Sequence, residues 1–469
     1  MHIMNRVDEL LAKAKEAQAK VADYTQERIN EVCVAVGWQL YKDDNIEKLA
    51  RLAVDETGYG NYESKIVKHK RKVSGPLQDI LDPAAVSVGL IERDEAKGIS
   101  KYAKPVGIVC AILPATNPTA TAGTNGISIL KGRNAVIFRP SSRARKASSL
   151  AIEYMRQGLM AVGAPVDLVQ CFDDADIPAT NELMAKCDLV VATGGGPMVR
   201  AAYSSGTPSY GVGTGNATCI IAEDADVPDA VAKITASNTF DNATSCSSEN
   251  SVIVHESLFA QVVEEFRKNN GYIVDGEERT KLGNWLWTAN KKGKLALNPD
   301  IIAQSARKIA ADAGLSVPEA TTQLVVIGVE PAPLDKFSEE KISPVITLYS
   351  YATFDEALEK IVGITNNCGR GHSMGIHTFK REYIERMGRE MLTSRITVRA
   401  PMAAANGGHA TNGMPSTATL GCGTWGGNST TENIHWRHFI NVTWVNEPIP
   451  AKVFDEKQIF GGLWAKCGK

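Results

Sequence analysis

Several classes of protein are excluded by what the chain does not contain. No apolar run in its 469 residues approaches the ~20 that a membrane-spanning helix needs. The opening stretch "MHIMNRVDELLAKAKEAQAK" has no apolar core, so it is not a secretory signal. Neither sign of charge is in excess. The formal net charge of −2 leaves no basic footprint for a nucleic acid. The nine cysteines are odd in number and scattered, which excludes a disulfide framework and fits reduced thiols in a cytoplasm. No internal repeat and no low-complexity segment is present, so a solenoid and a disordered chain are set aside.

The chain does have enough length for two or more domains. Residues 5 to about 80 carry apolar side chains at three-to-four spacing and are expected to be helical. Within them "KHKRK", residues 68–72, reads as a solvated helix face. "AVSVGLIERDEAKGISKYAKPVGIVCAI" reads as a strand, a charged turn and a second strand. From "NAVIFRP" to "NATCIIAE", short strand and helix patterns alternate. That alternation predicts a parallel sheet with helices on both faces, and ligands at the carboxyl ends of its strands. A second α/β stretch starts near Asp226. The tail after Ile434, with "HFINVTWVNEPIP", is β-rich and is expected to find a sheet partner outside its own domain.

One cysteine is oddly placed. In "TFDNATSCSSENSVIV" Cys246 stands between a polar, turn-like run and a clean apolar strand. A structural thiol normally sits inside an apolar segment, whereas this one sits at its mouth among hydroxyl residues. It is either a nucleophile or an inert buried thiol.

Two glycine-rich stretches differ in context. "GCGTWG" is formally G-x-G-x-x-G, but "GNSTTEN" follows it as a loop, which makes it a tight turn rather than a phosphate cradle. "TGGGP", Thr193 to Pro197, follows the strand "DLVVA" and opens a helix. Its amides either face a pyrophosphate or form an ordinary turn. In "IFRPSSRARK", Arg139, Arg143 and Arg145 lie at and beyond a strand end. Cations at a helix start work against the dipole, so they point to an anionic partner or to simple exposure.

The ordered motifs "ILPATNPTATAG", "AVIFRPSSRARK", "VVATGGGPMV", "GVGTGN", "TFDNATSCSSENSVIV", "EEKISPV" and "TLGCGTWGGNSTTENI" resemble the aldehyde dehydrogenase superfamily. The likeness covers residues 100–445 and is greatest to its CoA-acylating branch. It implies an α/β, aldehyde dehydrogenase-like fold: a Rossmann-type parallel-sheet cofactor domain, an α/β catalytic domain and a β oligomerisation segment. By the same resemblance, residues 1–85 and 106–215 bind the nicotinamide cofactor and 216–400 carry the thiol. Residues 401–434 return to the cofactor domain, and 86–105 and 435–469 join subunits into a homodimer or homotetramer.

The resemblance also implies roles. Cys246 stands where the family keeps its nucleophile, and Asn117 where it places an amide donor for the oxyanion. Thr193, Gly194 and Gly213 fall in motifs at the cofactor. Glu340 matches the carboxylate on the nicotinamide ribose. Arg139 replaces the usual lysine near the adenosine ribose and, with Arg143, leaves NAD and NADP both open. Hydrolytic relatives carry a glutamate where this chain reads "YGVGTGN", residues 210–216. A positioned base is worth roughly 10²–10⁴-fold, so water attack on a thioester should be slow. A thiol ionises near about pH 8.5 and is a good nucleophile unaided, so CoA is the expected co-substrate.

"NNCGRGHSMGIH" brings Cys368, His372 and His377 close in sequence, with His409 and Cys422 as further zinc-type residues. The spacing matches no familiar zinc pattern, so no metal is expected. His372 is either a proton acceptor for CoA or a loop holder. In "TSRITVRAP" Arg399, with Arg370 elsewhere, points to an anionic aldehyde or to an internal ion pair. The acylating sulfoacetaldehyde dehydrogenases are the subgroup whose substrate carries such a charge, and the chain is similar to them. Acetaldehyde or another short aldehyde is the other substrate reading. A hydrolysing aldehyde dehydrogenase and a non-catalytic scaffold are the other classes.

Overall fold

The computed structural model describes residues 5–290, 292–330 and 332–469; residues 1–4, at the head of the first expected cofactor segment, lie outside the described residues. Four helices open the chain: α1 (Arg6–Ala19), α2 (Gln26–Tyr41), α3 (Asp43–Thr57) and α4 (Tyr62–Leu81). The side chains of Asn5, Thr25 and Asn61 cap α1, α2 and α4 by accepting an amide of the first turn. Buried residues recur three or four apart, as with Ile29, Val32, Cys33, Val36 and Leu40 of α2, so one face packs on the sheet behind.

The stretch expected as one second strand is two. β2 (Ile99–Pro105) pairs antiparallel with β1 (Gly89–Asp94), while β3 (Ile108–Ile112) belongs to a different sheet. At the break, the amides of Val106 and Gly107 both donate to Asn134 Oδ1, at 2.7 and 3.0 Å. Gly107 adopts a φ of +132°, where a side chain is strained.

A five-stranded parallel sheet follows. It contains β3, β4 (Ala135–Arg139), β5 (Val169–Cys171), β6 (Leu189–Ala192) and β7 (Ser209–Gly211) in the order β5-β4-β3-β6-β7. The crossovers are α5 (Pro118–Lys131), α6 (Arg145–Ala161), α7 (Ile177–Lys186) and α8 (Gly196–Tyr203). Every residue of α5 is buried, since α4 covers one side of it and the sheet the other.

The second sheet has seven parallel strands: β8 (Ala217–Ile221), β9 (Glu249–His255), β10 (Gly271–Val274), β13 (Gln323–Ile327), β14 (Val345–Tyr351), β15 (Met374–His377) and β16 (Ile396–Val398). Their order is β10-β13-β14-β9-β8-β15-β16, and a small hairpin, β11 (Trp287–Ala289) and β12 (Leu295–Leu297), stands apart. The last strand, β17 (Ile440–Asn446), pairs with β2, so the β-rich tail finds its sheet partner in its own chain and forms one of the sheet's two edges. Among the described residues no helix is long and apolar enough to cross a membrane. All nine cysteines are unpaired.

The two large sheets meet end to end. Ile112, Arg139, Thr193 and Val212, at or just past the carboxyl ends of β3, β4, β6 and β7, line one cleft. Opposite them come residues that precede the amino ends of the second sheet's strands: Gly215 before β8, Cys246 before β9 and Glu340 before β14.

Candidate active site

Cys246 and Asn117 each line two cavities. The larger is the cleft between the sheets, about 590 Å³. The smaller, about 80 Å³, lies against α4.

The turn that carries Cys246 is strained. Asp241, Asn242 and Ala243 have φ of +52°, +51° and +57°, three successive left-handed residues without a glycine. Each costs roughly 1–2 kcal/mol, so the turn needs a clamp. Asp241 supplies it. Its fully buried carboxylate accepts from Lys65 Nζ (2.9 Å), Lys68 Nζ (2.5 Å), Thr244 Oγ1 (2.7 Å) and the Asn61 amide (3.0 Å). Burial alone would raise this carboxyl, but Lys68 and Lys65 hold it below its ordinary value. Burial and Lys68 push the Lys65 ammonium down to about 8.

His372 Nε2 lies 3.1 Å from Cys246 Sγ, and His372 Nδ1 lies 2.8 Å from Ser373 Oγ. The pattern assigns the tautomer: the thiol donates to Nε2, and Nδ1–H donates to Ser373. Burial, then Glu340 and Cys422, push the Cys246 thiol up to about 12, against a pull from Arg395. Burial and Arg395 push the imidazole down to about 3. The resting pair is therefore a neutral thiol beside a neutral base. Buried Arg395 fixes the histidine's turn by donating to the His372 carbonyl (2.9 Å) and the Gly421 carbonyl (2.8 Å).

Asn117 is the N-cap residue of α5. Its Oδ1 accepts from Lys68 Nζ at 2.8 Å, which fixes the amide so that Nδ2 is the free donor end. Among the described residues Nδ2 reaches only a distant acceptor, Thr244 O at 3.4 Å. The Cys246 amide has no acceptor among the described residues. Two free donors thus belong to residues that line the same cavities, as an oxyanion requires.

The cleft holds Thr193, Gly194, Gly213 and Glu340, with Arg139 and Arg143 in its wall. A Cβ at Gly194 would meet nothing within 4 Å, so the backbone there is bare toward the cleft. Burial pushes the Glu340 carboxyl up to about 8. Arg139 is committed to the protein, with Nε on Thr180 Oγ1 (3.0 Å) and Nη2 on the Ala175 carbonyl (3.1 Å). Arg143 Nη1 donates to the Tyr59 hydroxyl (2.7 Å).

Two readings of the sequence need correction. Arg399 does not reach Cys246. It follows the carboxyl end of β16, whereas the site lies at the amino ends of these parallel strands. Its guanidinium stacks on Phe379 at 4.6 Å and donates to the Thr378 carbonyl, and it lines neither cavity. The arginine of that segment which serves the site is Arg395. "KHKRK" is not a solvated face either: Lys68 and His69 are buried, and Lys68, Arg71 and Lys72 line the smaller cavity. The zinc-type residues are dispersed. His377 ends β15 at the carboxyl end of the strand, away from the amino ends that hold Cys246, and His409 is on a separate loop beside Thr411.

The family model "Aldehyde dehydrogenase family" matches residues 4–431. The chain is 61% identical to an acylating sulfoacetaldehyde dehydrogenase of Bilophila wadsworthia, over 99% of this chain and 100% of that protein. The fold matches an acetylating aldehyde dehydrogenase from Geobacillus thermoglucosidasius with a TM-score of 0.90 at 34% identity, over 96% and 98% of the two chains. It also matches a Rhodopseudomonas palustris propionaldehyde dehydrogenase with bound propionyl-CoA, at a TM-score of 0.83 and 26% identity, covering 95% of each chain.

Proposed function

The chain belongs to the aldehyde dehydrogenase family, and we propose that it oxidises sulfoacetaldehyde to sulfoacetyl-CoA with a nicotinamide nucleotide and CoA. The Bilophila relative supports the substrate. The acylating outcome rests on one observation: among the described residues lining the two cavities, the sole carboxylate is Glu340, pushed up to about 8. Burial favours its protonated form, and the nicotinamide ribose is its proposed partner, so no carboxylate is left to activate water.

The residues act in sequence. His372 Nε2 takes the Cys246 proton as Sγ forms a bond to the aldehyde carbon. Asn117 Nδ2 and the Cys246 amide hold the oxyanion of this thiohemiacetal. When bound in the cleft, the nicotinamide nucleotide supplies the acceptor for the hydride that leaves this carbon. Cys246 then carries a thioester. His372, freed of its proton, takes that of the CoA thiol, whose sulfur attacks the carbonyl and expels Cys246. The balance is aldehyde, oxidised nucleotide and CoA to acyl-CoA, reduced nucleotide and one proton.

Thr193 and Gly194, beside the start of α8, suit the nucleotide's pyrophosphate, and Glu340 suits its nicotinamide ribose. The nine unpaired thiols support a reducing, cytoplasmic setting. Trp444, Val445, Val453 and Phe454 leave apolar surface on β17 and the tail, which supports a homodimer or homotetramer.

The test is product analysis of sulfoacetaldehyde, acetaldehyde and other short aldehydes, each with NAD⁺ and with NADP⁺, with and without CoA. Sulfoacetyl-CoA as the favoured, CoA-dependent product supports the assignment. Preference for an uncharged aldehyde overturns the substrate. Free acid formed at the same rate without CoA overturns the acylating reaction.

A further inference from the structure

The smaller cavity carries a charge imbalance that the mechanism does not use. Lys68, Arg71 and Lys72 of α4 stand at i, i+3 and i+4, so one helix face presents all three. Among the described residues lining this cavity there is no carboxylate. Lys68 is neutralised by Asp241 and spent on Asn117. Among the described residues Lys72 Nζ meets only neutral acceptors, the carbonyls of Gly407 (2.9 Å) and Thr417 (2.5 Å), which leave one N–H without a partner there. Asp79, the carboxylate with some influence on it, accepts the Ser416 amide at 2.6 Å. Arg71 has no hydrogen-bond acceptor among the described residues. It lies over the Phe240 ring, 5.6 Å from the centroid, and is exposed. Burial and Lys68 push the Lys72 ammonium down to about 8, the mark of a cation short of a counter-charge.

We infer that Arg71 and Lys72 form the subsite for the anionic end of the aldehyde. They seat its sulfonate against Phe240 while the carbonyl carbon reaches Cys246. The inference rests on the proposed substrate and supplies the cation that Arg399 does not. A planar fork at the cavity mouth and an ammonium inside suit a tetrahedral, monoanionic group with three acceptor oxygens. A second phosphate-bearing ligand, CoA, offers similar chemistry, so the test separates the two.

Arg71→Ala is the primary variant, because among the described residues Arg71 makes no hydrogen bond or ion pair and touches the protein through the Phe240 ring alone. kcat/KM is compared for sulfoacetaldehyde and its neutral isostere 3,3-dimethylbutanal. The preference for the sulfonate should fall on the order of 10- to 100-fold in Arg71→Ala and less in Arg71→Lys. Lys72→Met should act in the same direction, with circular dichroism reporting whether the 407–417 segment remains folded. An unchanged ratio, or a raised KM for CoA in its place, overturns the subsite.

A second arm needs no turnover. Ethanesulfonate should slow alkylation of Cys246 by iodoacetamide in the wild type and not in Arg71→Ala. Such protection, combined with poor activity on sulfoacetaldehyde, would keep the anion subsite and remove the substrate assignment. Activity on sulfoacetaldehyde without Arg71-dependent protection would do the reverse.

Discussion

Gly215→Ala places a methyl group against the backbone of Cys246, the proposed nucleophile. The added Cβ would stand 2.1 Å from the Cys246 carbonyl oxygen and 2.8 Å from the Cys246 Cβ. Ordinary heavy-atom contact is about 3.5 Å, so the two segments must part by roughly 1 Å. The Cys246 side cannot yield freely, because Asp241 clamps its turn to Lys65, Lys68 and the Asn61 amide. Sγ therefore moves relative to His372 and Asn117. A misplacement of about 1 Å costs on the order of 10²-fold in rate, and overpacking typically costs about 1–3 kcal/mol of stability. The assay is CoA-dependent formation of reduced nucleotide under saturating substrates, with thermal unfolding alongside. kcat should fall about 100-fold while the protein stays folded. Gly388→Ala is the control: its Cβ would meet nothing within 4 Å on the exposed side of the helix Arg381–Glu390, and kcat should not change. Wild-type kcat in Gly215→Ala would refute the claim that this backbone contact positions the sulfur.

Other outcomes follow from the same site. His372→Ala should lower kcat/KM by about 10²- to 10⁴-fold, with partial rescue by added imidazole; a loss under tenfold would leave the histidine a loop holder. Because the Cys246 thiol lies near 12, iodoacetamide labelling of the free enzyme should rise about tenfold per pH unit from 7 to 10. A plateau near 8.5 would show an unperturbed thiol. Light scattering should give two or four copies of the 50.4 kDa chain, and Trp444→Glu on the exposed edge should shift the mass toward one copy. A wild-type monomer at micromolar concentration would contradict the self-association of β17.

The order of strands and helices was readable because short apolar runs and periodic segments alternate along the chain. The place of Cys246 at the mouth of an apolar strand was readable too. The residues that surround it were less so. His372 meets Cys246 across 126 residues, and Lys68 meets Asp241 across 173, and no local pattern records such contacts. Charges at i, i+3 and i+4 look alike whether a helix face meets water or a cavity; packing of α4 on α5 decides which. Arg395 and Arg399 are four residues apart yet flank β16 at opposite ends. Choosing between them requires knowing which end of the parallel sheet holds the site. The resemblance supplied roles for Asn117 and Glu340 that neither composition nor spacing could.

The central claim is a thioester on Cys246 that waits for CoA. Sulfoacetaldehyde and oxidised nucleotide are added without CoA, the protein is quenched in acid, and the modified peptide is located by mass spectrometry. The account predicts a single acyl group per chain on Cys246, formed within about one turnover and released as acyl-CoA when CoA is added. Steady release of free acid with Cys246 unmodified, or an acyl group on another residue, would contradict it.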